Sequence, residues 1–237
     1  MTGGISIDPR FQGISGIGQG GHFAGLLAER RRAGTRVWFR APIPLGRRLN
    51  LDERGATLVV RDGATEIALA ENASVEADPP PFVSLAAAEK GRSWAVGRHL
   101  PRVEGCFSCG MGPESLRIHA GRVDEELYAT PYTPPAWTAG PDGTVLDRFL
   151  WAPIDCAAGW RVSLDEPQRP AVTGWLTAEI ATAVTPGTPL VVVATAEDGW
   201  TGRKRMASSA VYTGDGTLVA KSESLWIALT GAQTPGQ

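Results

Sequence analysis

The sequence predicts an α+β fold built from one unit used twice, each copy an antiparallel sheet wrapped around a central helix. Three observations carry this. A glycine-dense loop runs into a helix over residues 11–32, and strand signals closed by an Asp62-Gly63 hairpin follow. A second helix-like stretch at residues 149–164 is followed by long strand runs, a Pro186-Gly187 turn and an Asp215-Gly216 hairpin. The turn signals therefore come in the same order in both halves, although the residues between them differ.

In the first half, Gly13, Gly16, Gly18, Gly20 and Gly21 loosen the backbone and remove side chains that would block close approach. Phe23, Leu26 and Leu27 then recur at helical spacing, with charged Glu29 to Arg32 on later turns. Strands are expected at residues 35–41, 49–51, 56–60 and 65–70. Asp78-Pro79-Pro80-Pro81 interrupts regular structure, and residues 82–96 again look helical. Residues 149–164 read as a helix opened through Pro153, a residue suited to a first helical turn. Strand runs are expected at residues 172–184, 189–196, 204–212 and 218–229. The organisation expected is an N-terminal repeat (1–76), a connecting segment with one helix and one or two strands (77–142), a C-terminal repeat (143–230) and a disordered tail (231–237).

Composition narrows the function. The chain has 237 residues, 43% hydrophobic, and a formal net charge of −2, so no broad electrostatic footprint for nucleic acid is expected. Arg30–Arg32 and Arg47–Arg48 read as solvated surface charge or as a basic lip for a phosphorylated ligand. No apolar run reaches the length of a membrane span, and no basic region followed by an apolar core marks a signal peptide. Three cysteines, an odd number, do not make a secreted disulfide framework. A cytoplasmic enzyme or binding protein is expected, with no cofactor.

The glycine-rich stretch admits an anion or a carbonyl oxygen at a helix N-terminus. A phosphate loop is set aside because the segment lacks the Gly-Lys-Ser/Thr ending. A dinucleotide fold is set aside because antiparallel hairpins follow rather than a parallel strand-helix-strand unit.

Five segments resemble an actinobacterial branch of the hotdog-fold thioesterase superfamily. They are FQG…GQGGHFAGLLA at residues 11–28, CFSCG…LRI at 106–118, LWAPIDCAAGW at 150–160, WLTAEI at 175–180, and residues 202–229. The resemblance covers most of the chain and implies a double hotdog. It also implies acyl groups carried as thioesters on coenzyme A or acyl carrier protein. Hotdog units often pair further, which admits a homodimer. The chain departs from the branch in two places: His22 stands where an aromatic is common, and Ala157-Ala158 where Pro-Gly is common.

In such enzymes the helix N-terminus polarises the acyl carbonyl, which makes the N–H groups of Gly20, Gly21 and His22 the candidate oxyanion hole. Asp155 reads either as a first-turn cap of its own helix or as the general base or nucleophile acting on a thioester. His22 reads as a proton shuttle paired with Asp155 across a shared cleft, or as a buried packing residue. Gln19 would position water or the thioester oxygen, or simply open the helix. Phe23, Trp151, Trp160 and Trp200 are candidates to line an acyl tunnel, or plain core. Cys106-Phe107-Ser108-Cys109 has half a zinc-site spacing, with His99 and His119 nearby, but matches no familiar finger, so packing at a turn is the expectation and no metal is assigned. Besides thioester hydrolysis, two readings stay open: a hydratase or dehydratase using a His22/Asp155 pair, and a non-catalytic acyl-binding accessory protein. Asp155 alone facing a helix N-terminus across an apolar tunnel would favour the thioesterase.

Overall fold

Alternating apolar residues and tight glycine turns assemble into one antiparallel sheet that carries two helices side by side. The structure is a computed structural model describing residues 3–14, 16–31, 34–96 and 103–230. Its elements are β1 (Gly3–Ser6), α1 (Gly20–Arg31), β2 (Thr35–Phe39), β3 (Arg48–Arg54), β4 (Thr57–Asp62), β5 (Thr65–Asn72) and α2 (Leu85–Val96). They continue with β6 (Gly121–Arg122), β7 (Tyr128–Tyr132), α3 (Arg148–Asp165), β8 (Ala171–Ile180), β9 (Leu190–Ala196), β10 (Lys204–Thr213) and β11 (Leu218–Ala228). The expected tail and His99 lie outside the described residues.

The strand order is β1-β3-β4-β5-β2-β8-β11-β10-β9-β7-β6. The topology repeats. Strands β3-β4-β5 form a meander, β5 returns to β2, and β1, from before α1, pairs with β3. Likewise β9-β10-β11 form a meander, β11 returns to β8, and β7, from before α3, pairs with β9. Strand β7 thus stands in the second repeat as β1 does in the first, although the sequence places it in the connecting segment.

Two sheets, one per repeat and joined edge to edge, were expected. The repeats share one eleven-stranded sheet because β2 and β8 pair directly, from Thr35 opposite Ala178 to Trp38 opposite Trp175. The seam is covered by side chains. The Trp38 and Trp175 rings lie 5.9 Å apart, and the Arg36 guanidinium sits 4.2 Å over Trp175. Arg36 also bonds Thr177 and, at 2.7 Å, Glu223.

Helix α1 is buried on nearly every side over its first two turns, where Gly21, His22, Phe23, Ala24, Gly25, Leu27 and Ala28 are all core residues. Its partner is α3. A methyl group added at Gly21 would stand 2.3 Å from the Trp151 carbonyl oxygen, and one at Gly25 would stand 2.5 Å from Arg148 Cα. These two glycines, four apart and so on one helix face, let the backbones touch. The start of α1 lies beside the middle of α3, and Glu29 near its end lies beside the start of α3, so the helices run antiparallel.

Strand β9 is apolar almost throughout because both its faces are covered. Leu190, Val192 and Ala194 join the main core, while Val191 and Val193 pack with Ala88 of α2 on the other face. Among the described residues no helix is long and apolar enough to cross a membrane.

Candidate active site

The glycine-rich loop before α1 is held by backbone bonds. Gly13 N–H donates to Ile17, Gln19 N–H to Phe11 and Gly18 N–H to Ile43. Gly18 has no room for a side chain, since a Cβ there would sit 2.8 Å from Ile43 Cγ2. The chain therefore enters α1 at a set angle, with Gln19 at the cap position. Its Oε1 accepts from His22 N–H at 2.5 Å. The next free donor, Gly21 N–H, points at Asp155 Oδ2, 2.9 Å away. Gln19 Nε2 donates to the same oxygen at 2.8 Å.

Asp155 therefore caps a helix, but the other one, which corrects the expected first-turn role. Helix α3 begins at Arg148, five residues before Pro153, so Asp155 lies deep in its interior. Pro153 leaves the Phe149 carbonyl without its helical donor. The Tyr132 hydroxyl of β7 supplies the missing bond at 3.0 Å, which allows proline inside this helix. The capping is reciprocal: Glu29 Oε1 of α1 accepts from Arg148 N–H, the first residue of α3, at 3.0 Å. Each helix thus places a carboxylate at the other's positive end. The two sites differ in partner. Glu29 is ion-paired with Arg148 at 3.3 Å, whereas the three groups hydrogen-bonded to Asp155 are neutral.

The third group is Thr173, whose hydroxyl donates to Asp155 Oδ1 at 2.7 Å. Sequence reasoning did not select it, because strand alternation places Thr173 on the face of Trp175, away from core residue Leu176. A bulge reverses this. Trp175 pairs with Leu225 but Thr173 pairs with Trp226, leaving Gly174 as an extra residue. The extra residue turns Thr173 toward the helices. A polar residue followed by glycine inside a strand run was the available signal.

Asp155 is 5% exposed. Burial pushes its carboxyl up to about 6; bonds from Thr173, Gly21 and Gln19 pull the other way, and negative charge on Cys106 adds to the rise.

Asp155, Gln19, Gly20 and Thr173 lie on the wall of a cavity of about 630 Å³. Its other walls are largely apolar: Ile14, Ile17, Phe39, Ile43, Val103, Trp160, Val172, Trp226, Ile227 and Leu229. Of the four aromatic candidates only Trp160 lines it. Phe23 and Trp151 are sealed in the main core, and Trp200 packs in a separate cluster around Ala158, Val162 and Trp226. The expected cradle of three N–H groups is reduced as well. Gly21 and His22 already donate to Asp155 and Gln19, which leaves Gly20 as the residue of that trio on the cavity wall.

His22 does not pair with Asp155. Its ring stacks on Phe11 at 4.0 Å, with Phe107 and Phe149 at 5.6 Å, and neither ring nitrogen has a partner. Burial, helped by the positive charges of Arg148 and Arg10, drives its pKa down to about 3, so the imidazole is neutral near pH 7. The histidine thus sits in an aromatic cage.

Cys106 and Cys109 are joined by Cys156 of α3, all three buried and lining the cavity. Bonds from Cys109 and Cys156 hold the Cys106 thiol well below its ordinary value, against burial. His119 takes no part in the cluster through its Nε2, which lies 3.1 Å from the Cys109 carbonyl oxygen.

Comparison with known proteins places this architecture. No protein-family model and no curated protein matches the sequence. Solved structures do. The TesB protein of Mycobacterium avium subspecies paratuberculosis superposes with a TM-score of 0.61 at 14% identity, over 97% of this chain and 93% of that one. A Thermobifida fusca protein named after thioesterase II superposes with a TM-score of 0.61 at 18% identity, over 97% and 92%. A hotdog-fold protein of unknown function from Alicyclobacillus acidocaldarius gives 0.56 at 14% identity, over 97% and 93%. Over nearly its whole length, the chain has the hotdog fold.

Proposed function

We propose that this protein hydrolyses an acyl thioester of coenzyme A or of an acyl carrier protein. The observation that carries the reading is Asp155: a carboxylate hydrogen-bonded only to neutral groups, at the N-terminus of α1, on the wall of a largely apolar cavity. Two structural neighbours bear thioesterase names, which agrees with this reading.

The acyl chain lies along the apolar walls, and its carbonyl oxygen faces Gly20 at the positive end of α1. Gln19 and Thr173 orient both Asp155 and the attacking water. Asp155 takes a proton as the water oxygen bonds to the carbonyl carbon. The tetrahedral intermediate collapses, the carbon–sulfur bond breaks, and the Asp155 carboxyl returns its proton to the departing thiolate. With a pKa near 6 the carboxyl is ionised at neutral pH yet basic enough to accept the proton.

The test is a panel of acyl-coenzyme A esters with free thiol followed, repeated with Asp155→Asn and His22→Ala. The expectation is release by the native protein, its loss in Asp155→Asn, and its retention in whatever His22→Ala protein folds. No release from any ester, or release indifferent to Asp155→Asn, refutes hydrolysis. A second reading, an acyl-binding protein without catalysis, is favoured by one fact: both Asp155 oxygens already accept protein donors. It predicts saturable binding of an acyl ester with no thiol release.

A further inference from the structure

The chain has three cysteines, and tertiary structure gathers all of them at one point. Their Sγ atoms lie within 4.8 Å of one another, and Cys106 and Cys156 approach to 3.9 Å. Two come from a tight turn in which Cys106 N–H donates to Val103, Gly110 N–H to the Cys106 carbonyl at 2.7 Å, and Cys109 N–H to Cys106 Sγ at 3.3 Å. The Ser108 hydroxyl ties this turn to the Ala152 carbonyl of α3. The third, Cys156, follows Asp155 on α3 and receives Gln19 Nε2 at 3.6 Å.

We propose that Cys106, Cys109 and Cys156 form a three-thiolate site for a divalent metal ion of the zinc class, with its fourth position toward the cavity. Tetrahedral zinc, with zinc–sulfur bonds of about 2.3 Å, sets its sulfurs about 3.8 Å apart. The Cys106–Cys156 pair already has that spacing, and the remaining sulfurs need to close by about 1 Å or less. A set of thiols alone selects zinc-class or cuprous ions over hard cations. Charge selects the divalent ion: with three thiolates it leaves one net negative charge in a buried place, a monovalent ion two. The Cys109 N–H and the Gln19 amide are the outer hydrogen bonds that thiolate ligands take. Cys106 lines both the main cavity and a neighbouring one of about 470 Å³, which gives the ion a way in. Binding converts three thiols to thiolates and releases up to three protons.

The test uses the reduced full-length protein, freed of metal with a chelator and titrated anaerobically with Co²⁺. The expected result is saturation at one ion per chain. It would carry a sulfur-to-cobalt charge-transfer band and the intense visible absorption of tetrahedral cobalt, both lost on adding Zn²⁺. Cys109→Ser and Cys156→Ser lose the charge-transfer band. Should those variants not fold, alkylation of the native protein decides instead. Zn²⁺ protects all three thiols, which are the only ones in the chain. No charge-transfer band in the native protein overturns the site, as does a band kept in the serine variants or thiols that stay reactive with Zn²⁺ present.

Discussion

Replacing Asp155 by asparagine keeps the shape of the side chain and removes its charge, and the structure says what each change does. The amide oxygen can still accept from Gly21 N–H and Gln19 Nε2, while the new NH₂ group faces the Thr173 hydroxyl, which can accept as readily as donate. The Thr173 hydroxyl proton does lose its acceptor, a cost that does not vary with pH and so leaves the pH dependence of the difference untouched. What disappears is an ionisation that folding opposes. The carboxyl is raised from 3.8 to about 6, which disfavours its charged form in the folded state by about 3 kcal/mol. For a raised acid this stability is fully present below about pH 4 and is lost as pH rises through about 6. Between about pH 4 and pH 8 the native protein therefore loses about 3 kcal/mol that Asp155→Asn does not. Titrating groups not coupled to Asp155 are common to both proteins and cancel in the difference. The assay is urea unfolding of both chelator-treated proteins across that range, with thiol release followed in parallel. The stability difference should move by about 3 kcal/mol in favour of asparagine as pH rises, while hydrolysis falls by about 10²–10⁴-fold. A difference that stays constant with pH would show that Asp155 ionises alike in the folded and unfolded chain, and would refute the desolvation argument.

Gly21→Ala places a methyl 2.3 Å from the Trp151 carbonyl oxygen, so α1 and α3 must separate and the bond from Gly21 N–H to Asp155 lengthens. Overpacking and a weakened charged hydrogen bond together predict a loss of about 3–5 kcal/mol in urea unfolding; Gly112→Ala, with open space around it, should stay within about 0.5 kcal/mol. His22→Phe removes two unpartnered ring nitrogens from an aromatic cage and should leave stability equal or raise it by about 1 kcal/mol. Because folding holds His22 neutral down to about pH 3, its stabilisation is present above about pH 6.5 and lost as pH falls below it. The phenylalanine variant should therefore resist acid better than the native protein, and equal acid sensitivity by circular dichroism would contradict the account.

Much of the fold was legible because it is written in local chemistry. Gly63 and Gly216 take φ values of 58° and 91° at the two hairpins that set the repeat. Gln19 and Gly20 could be singled out from the glycine-lined helix start, and Asp155 from its corresponding place in the second half. What failed was any inference that needed a partner. Pro153 looked like a helix start because the hydroxyl that rescues it belongs to Tyr132, on another strand. Thr173 was not selected, because the bulge that turns it toward Asp155 is defined only by pairing with β11. Which strands join the two repeats was not legible, because edge pairing of β2 with β8 leaves no mark in either strand alone.

By itself, then, the sequence determined the duplication, the order of elements and the residue types available at the helix start. Tertiary structure decided which carboxylate meets which helix end, which face Thr173 presents and where the three cysteines converge. The physical reason is range. Turns, caps and periodicity act over a few residues, whereas the environment of Asp155 is set by groups from α1, β8 and the cysteine turn that only packing brings together.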